Sequence, residues 1–453
     1  MYTRFCSTLL FPLHERLKGH HSVRLRGQLE ETQWWSRERL AALQVERLRR
    51  FLQAVGRDVP YYSRLFARTG FKPEAVLSVA DLQKLPFLTK ELIRAHSRDL
   101  KSIHASNLVR YSTGGSSGEP LTFFLGKERI SHDVAAKWRA TRWWGVDIGD
   151  PEVVLWGSPI EIGTQDRLKS IRDRVFRTRL LPAFQLSPAS MDGYIDKLQR
   201  IRPRMLFGYA SALAMLARHA TTRGRDLGGL GVRVAFSTGE TLYPDQRDDI
   251  AAAFHAPVAN GYGSRDAGFI AHECREGGLH LSAEHVIVEL VTDSGDPVEP
   301  GQMGEIVVTH MATGDFPFVR YRTGDIAALA LNPCPCGRIL PMLERVFGRS
   351  TDFIRTPSGG VMHALAMIYE VRDKPGVKAF KFVQEKDYSL ELLLVTGPEF
   401  DPEAEADIRK NVLARTGPEV QFSIRRVPEI PPEKSGKYRY VVSRAVPPNL
   451  QNR

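Results

Sequence analysis

Between Ile130 and Phe254, short apolar runs alternate with amphipathic stretches at helical spacing, and this alternation restricts the architecture more than any other feature of the chain. "EVVLWG", "PRMLFGY" and "VRVAFSTGE" read as strands, while "SMDGYIDKLQRI" and "ASALAMLARHATTRG" read as helices. Strand followed by helix followed by strand predicts crossover units, and so an α/β arrangement whose sheet is largely parallel.

The flanking regions have different textures. Residues up to about Asp99 are helical in pattern, and Thr89 in "TKEL" is placed to cap a helix. "NLVRYS" and "LTFFLG" are short strands joined by a glycine-rich loop. After Gly278 the pattern becomes β, with "HVIVELVT", "GEIVVTH" and "FVRYRTGDIAAL" separated by turn residues, which predicts a smaller β layer or barrel. The last hundred or so residues read strand, turn, strand ("VKAFKFVQEKDYSLELLLV"), then helix ("DPEAEADIRKNVLART"), then strand ("VQFSIRRV"), a compact α+β unit. The joint falls near "VFGRSTDFIRTPSGG", where Gly, Ser and Pro cluster without periodicity. A chain of 453 residues exceeds one ordinary core, so more than one unit is expected.

Composition narrows the function class. With 42% hydrophobic and 25% charged residues the chain is of globular type, and four cysteines are too few for a disulfide scaffold, pointing to a reducing compartment. No apolar run approaches the ~18 residues of a membrane span, and the N-terminal run Leu9–Leu13 is broken by Pro12 and lacks a small-residue cleavage site. A cytoplasmic protein with no transmembrane segment is expected. The net charge of +11 is spread along the chain without a zinc-finger, RNP or basic-zipper signature, so a nucleic-acid partner is not expected. A basic surface also suits an enzyme handling polyanions such as ATP or coenzyme A.

Four stretches carry the chemistry. The loop in "RYSTGGSSGEPLTFFLG" contains Ser112, Thr113, Gly114, Gly115, Ser116, Ser117 and Gly118, and small residues let backbone N–H groups approach an anion. It lacks the G-x-x-x-x-G-K-[ST] pattern. "ANGYGSRDAG" (259–268), "RYRTGDIA" (320–327) and "PPEKSGKYR" (431–439) follow. Singly, each is an ordinary turn, capped strand end or solvated tail; their joint order and spacing carry the specificity.

Taken together with "VPYYSRLF", "LPFLTKEL", "FGYASALAMLA", "FSTGE" and "FGRSTDF", these stretches resemble the adenylate-forming (ANL) superfamily of acyl-CoA synthetases, in its phenylacetate–CoA ligase and CapK-like capsule branch. The resemblance implies a large N-terminal adenylation domain with α/β and β-barrel portions (1–348, with 1–100 helical), a hinge (349–352) and a small mobile α+β C-terminal domain (353–453). It also implies that the 112–118 loop closes over the ATP phosphates, with hydroxyls and amides stabilising the α-phosphate and departing pyrophosphate. Gly239 and Glu240 would line the adenine pocket and Tyr262 would stack near the base. Asp325 would accept both ribose hydroxyls, and Arg349 would approach the nucleotide. Asp266 stands where the family places a Mg²⁺-supporting acid, usually Glu. Lys437 would be the mobile catalytic lysine, bridging substrate carboxylate and α-phosphate; Lys434 fits the motif less well. Glu119 replaces a lysine common in relatives, and Thr351, beside Asp352, stands at the usual hinge aspartate.

A second constellation is independent of ATP. Cys274, Cys334 and Cys336, with His280, fall in "HECREGGLH" and "NPCPCGR" and could supply a structural Cys₃His zinc site, with His272 as the alternative imidazole. The other reading is two unrelated loops with reduced thiols.

The resemblance implies ATP-dependent activation of an aryl or acyl carboxylic acid through an acyl-adenylate, with Mg²⁺, then transfer to coenzyme A. The alternatives are adenylylation of a phenolic cofactor, as in coenzyme F390 synthetases, acyl transfer to a sugar or carrier in capsule biosynthesis, or a catalytically silent basic binding module. A homodimer is left open.

Overall fold

Helices dominate up to residue 95, as the apolar spacing predicts. The structure, a computed structural model, describes residues 1–113, 121–156, 167–183, 186–349, 352–357, 361–363, 365–372, 374–431 and 438–445. Ser36 caps the helix Arg37–Asp58 by accepting the Arg39 amide at 3.3 Å, and the helix buries Leu40, Leu48, Phe51, Leu52 and Val55 along one face. Pro60 opens the next helix, Pro60–Thr69, which ends at Gly70 in the left-handed region. Thr89 caps Lys90–Ala95 through the Leu92 amide at 3.3 Å, as expected.

The strands flanking the glycine loop, β1 (Val109–Ser112) and β2 (Thr122–Leu125), pair antiparallel. Just beyond them Thr113 N–H donates to Leu121 O at 3.0 Å, and Leu121 N–H donates to Thr113 Oγ1 at 2.9 Å. The loop therefore leaves from a closed neck anchored by the fully buried Leu121.

The alternating segment builds one half of an eleven-stranded sheet. Strands β3 (Glu152–Trp156), β4 (Thr178–Pro182), β5 (Met205–Gly208), β6 (Val234–Thr238) and β7 (Val258–Ser264) lie parallel in the order β4-β3-β5-β6-β7. Helices Pro188–Ile201, Ala210–Thr222 and Pro244–Phe254 pack on it through Ile195, Leu198, Leu213, Leu216 and Phe254, and the alanines of the second let it approach closely.

The β-rich segment does not close on itself. Strands β8 (Gly268–Glu273), β9 (Leu279–Leu281), β10 (Val286–Val291), β11 (Met303–His310), β12 (Phe318–Leu329) and β13 (Met342–Arg349) extend the same sheet as β7-β8-β9-β13-β12-β11-β10. Among the described residues there is no closed barrel. The cause is the β13–β9 pairing, Met342 opposite His280, with β9 itself paired to β8, which hydrogen-bonds this segment onto the parallel half.

A buried polar layer lies under helix Lys127–Trp143. Arg139 donates to Glu284 Oε1 at 2.6 Å and to Leu29 O at 3.1 Å, and the Thr32 hydroxyl donates to the same carboxylate oxygen at 2.8 Å. Arg129 donates to Asp133 at 3.0 Å. Beside them the His132 ring meets His285 and His310 edge-on, each at 4.8 Å. Burial lowers the pKa of all three imidazoles, keeping them neutral.

Contact density divides the chain into two units, Met1–Thr323 with Ala327–Val346, and Gly324–Ile326 with Phe347–Arg453. In the second, β14 (Phe353–Arg355) and β15 (Val361–His363) form a hairpin. Strands β16 (Val377–Gln384), β17 (Leu390–Thr396), β18 (Phe422–Arg426) and β19 (Val441–Ser443) form a sheet in the order β18-β17-β16-β19. Helices Leu365–Arg372 and Ala404–Thr416 complete the expected α+β unit.

Candidate active site

In an open parallel sheet, ligands are bound beyond the carboxyl ends of the strands. Three aligned strands end here in Trp156, Tyr209 and Gly239: Trp156 closes β3, Tyr209 follows β5 and Gly239 follows β6. The Trp156 and Tyr209 rings stack 4.3 Å apart. Gly239 has φ +79°, and a Cβ there would stand 3.2 Å from both rings. Glu240 accepts the Ser211 amide at 2.9 Å, so its carboxylate sits at the N-terminus of helix Ala210–Thr222, where the helix dipole favours negative charge. Next in the sheet, Thr238 pairs with Gly261, its hydroxyl donating to Gly261 O at 2.6 Å, which puts half-buried Tyr262 beside the Gly239 turn.

Asp266 lies in the turn between β7 and β8 and is only 6% exposed. The Tyr321 hydroxyl, from β12, donates to its carboxylate. Burial works to raise its pKa, but the hydrogen bonds from Ser264 and Tyr321, and then the Lys90 ammonium, prevail and hold it below the ordinary carboxylate range. Asp266 is therefore an ionised hard oxygen donor, and one such carboxylate suits a Mg²⁺ that takes its other ligands from phosphate and water. From the same turn Arg265 donates to Ser112 O at 3.4 Å, tying β7–β8 to the neck of the glycine loop.

The second unit gathers its own group. Arg349 Nε lies 3.7 Å from Asp325 Oδ1, and the Arg349 amide donates to Asp352 at 2.8 Å. Arg439 donates to the other oxygen of Asp352. Asp325 and Arg349 are thus brought together. Gly114, Gly115, Ser116, Ser117, Gly118, Lys437 and the hinge residue Thr351 lie outside the described residues.

The cysteine constellation is spatial, not only sequential. The ligand atoms of Cys274, His280, Cys334 and Cys336 all lie within 4.8 Å of one another. Cys274 Sγ is 3.5 Å from Cys334 Sγ, and Cys336 Sγ is 3.2 Å from His280 Nε2, near the edge length of about 3.8 Å for a tetrahedral zinc–sulfur site. His280 Nδ1 faces Leu340 O at 3.4 Å, a partner that leaves Nε2 to point into the cluster. Gly278 is required beside it, since a Cβ would stand 2.7 Å from Cys334 Sγ. Burial pushes the Cys274 thiol up to about 12 and His280 down to about 4. Cys336 is drawn below its ordinary value, where burial is outweighed by hydrogen bonds from Arg338. Three sulfurs and a neutral imidazole converging on one point fit a closed structural zinc site. His272 is not a member; its ring stacks on Phe269.

Residues 354–444 match the family CapK C-terminal domain. Over 409 residues the chain is 24% identical to protein CapK of Staphylococcus aureus, covering 89% of each chain. It is 25% identical to the phenylacetate-coenzyme A ligase of Thermus thermophilus over 337 residues, 70% of this chain and 72% of that one. The chain is a homologue of CapK and of the phenylacetate–coenzyme A ligases. Its fold is that of adenylate-forming ligases: 2-hydroxyisobutyryl-CoA ligase, solved in a postadenylation state with an acyl-AMP, superimposes with a TM-score of 0.72 at 20% identity over 88% of each chain. ATP-bound MatB from Rhodopseudomonas palustris gives 0.53 at 17% identity over 74% of this chain and 68% of that one.

Sequence reasoning missed Tyr321, Ser264, Arg265 and Arg439. Tyr321 and Arg439 lie inside quoted motifs, "YRTGD" and "SGKYR", and could have been noticed as donors adjoining acids. Ser264 and Arg265 lie inside "ANGYGSRDAG", but their contacts depend on the geometry of the β7–β8 turn, which the motif does not specify.

Proposed function

We propose that the chain is an AMP-forming acid–thiol ligase. A carboxylate oxygen of the substrate attacks the α-phosphorus of ATP and expels pyrophosphate; the thiol of coenzyme A then attacks the acyl carbon and releases AMP. The observation that carries this reading is the set Gly239, Glu240, Tyr262 and ionised Asp266 at the carboxyl ends of β6 and β7, in a chain homologous to CoA ligases over most of its length. The Gly239 turn and Tyr262 would hold adenine, Asp325 the ribose and Arg349 the nucleotide. Mg²⁺, when bound, neutralises phosphate charge, and Asp266 is the residue that would hold it.

Lys437 and residues 112–118 belong to the same proposal, Lys437 arriving for adenylation on a C-terminal domain (353–453) that swings about 349–352 against 1–348. Cys274, His280, Cys334 and Cys336 would hold a structural Zn²⁺. The enzyme would work in the cytoplasm, as a monomer or a homodimer. A second reading, which follows from the resemblance to the capsule branch, is acyl transfer to a sugar or carrier.

The test is carboxylate-dependent ATP–pyrophosphate exchange over aryl, fatty and small acids, with Lys437→Ala as control. Exchange that collapses in the control, followed by thioester formation on adding coenzyme A, is the expected result. Exchange without thioester transfers weight to the sugar or carrier acceptor. Binding of Mg·ATP with no exchange for any acid overturns carboxylate activation.

A further inference from the structure

The first residues form a continuous helical run: Tyr2–Phe5, a π turn Cys6–Leu10, then Phe11–Leu17. Its inner face is firmly seated. Phe11 meets Trp138 edge-on at 5.0 Å and Phe176 at 5.5 Å, Cys6 is buried, and buried Glu15 accepts the Ser22 hydroxyl at 2.6 Å. Its outer face is not polar, as a solvated helix face ordinarily is. Phe5, Leu9, Leu13 and Leu17, four residues apart, are 44%, 55%, 53% and 80% exposed. The neighbouring helix Arg167–Val175 extends the patch with Ile171, 61% exposed, and Val175. Tyr2 OH donates to Val175 O at 2.7 Å and fixes the two segments side by side.

The fully exposed charges on and beside these two segments are basic. Arg4, Arg16, Lys18, Arg174 and Arg177 are exposed. The acids of the same two segments are Glu15, which is buried, and Asp173, bonded to Arg172 at 2.8 Å. An apolar stripe with a cationic rim has the chemistry of a helix lying in the plane of a membrane interface. A second copy would instead bring two cationic rims together, against charge complementarity. We propose that the face formed by Phe5, Leu9, Leu13, Leu17 and Ile171 docks the protein on an anionic lipid surface. Among the described residues no helix is long and apolar enough to cross a membrane, so the attachment is peripheral and salt-sensitive.

The test is co-sedimentation of the full chain with phosphatidylcholine vesicles containing or lacking phosphatidylglycerol. Binding is expected only with phosphatidylglycerol, falling as salt rises. Leu9→Asp with Leu13→Asp is expected to weaken it about tenfold or more. Arg4→Glu with Arg16→Glu should weaken it and flatten the salt dependence. Because these side chains are exposed, both variants should keep the wild-type unfolding midpoint, which guards against a trivial loss of fold. Failure to sediment with either vesicle overturns the proposal, as does binding undiminished in the leucine variant. A dimer seen by light scattering that the leucine variant dissolves overturns it too, since a second copy then covers the stripe.

Discussion

Gly239 holds a left-handed turn at φ +79°, and a methyl group there would press on Trp156 and Tyr209 at 3.2 Å. Gly239→Ala is expected to destabilise the first unit by about 1–3 kcal/mol, read as a lower urea midpoint, and to depress pyrophosphate exchange. Asp266 offers a sharper test, because its ionisation depends on donors that can be removed one at a time. Tyr321→Phe deletes a hydrogen bond to the carboxylate worth about 1–3 kcal/mol. Its loss raises the Asp266 pKa, so the acid limb of the exchange pH profile moves to higher pH, while exchange on the plateau is largely kept. A merely structural tyrosine would lower the whole profile without moving the limb. At this scale the sequence was partly legible: "STGE", "YGSRD" and "YRTGD" exposed the carboxylates. The tyrosine that tunes one of them, 55 residues away, was visible only as a member of a motif.

The strands β8, β9 and β13 meet at the cysteine cluster, which joins two segments 60 residues apart. Metal analysis of the purified protein is expected to find one zinc per chain. Cys274→Ser or Cys334→Ser should lose it and lower the unfolding midpoint, with exchange activity kept at temperatures where the fold survives. Retention of zinc in both variants would refute the assignment. The four ligand types could be read from the sequence, but the choice of His280 over His272 could not. The two stand opposite each other on β8 and β9 and share a face, and it is the place of β9 beside β13, the strand that follows Cys334 and Cys336, that brings His280 to the thiols. The barrel expectation failed at the same place. Alternating apolar strands do not say whether a β segment curls on itself or extends a neighbour, and the β13–β9 pairing chose extension.

Across the whole first unit, buried neutral histidines set the response to acid. Burial lowers the pKa of His132, His285 and His310, and pushes His272 down to about 3. An imidazole whose pKa is lower folded than unfolded binds protons more readily when the chain unfolds. Stability is therefore full above the ordinary value near 6.5 and declines as pH falls below it. Urea midpoints should be flat from about pH 8 to 7 and then drop, and His132→Phe should soften the drop. The nearby Arg139–Glu284 pair, 1% and 0% exposed, is not dispensable: Glu284→Ala leaves a buried guanidinium and should cost about 3–5 kcal/mol. By itself the sequence determined the local pieces: strand–helix alternation, the cap at Thr89, the α+β C-terminal unit, and the order of the motifs that carry the resemblance. These follow from periodicity and turn chemistry, which act over a few residues. Only the tertiary structure decided which histidine joins the sulfurs, which hydroxyl holds Asp266, that the β segment continues one sheet, and that Leu9 and Leu13 face outward. Each of those depends on strand register or on which helix face finds a partner, and contacts between residues far apart in the chain leave no local pattern.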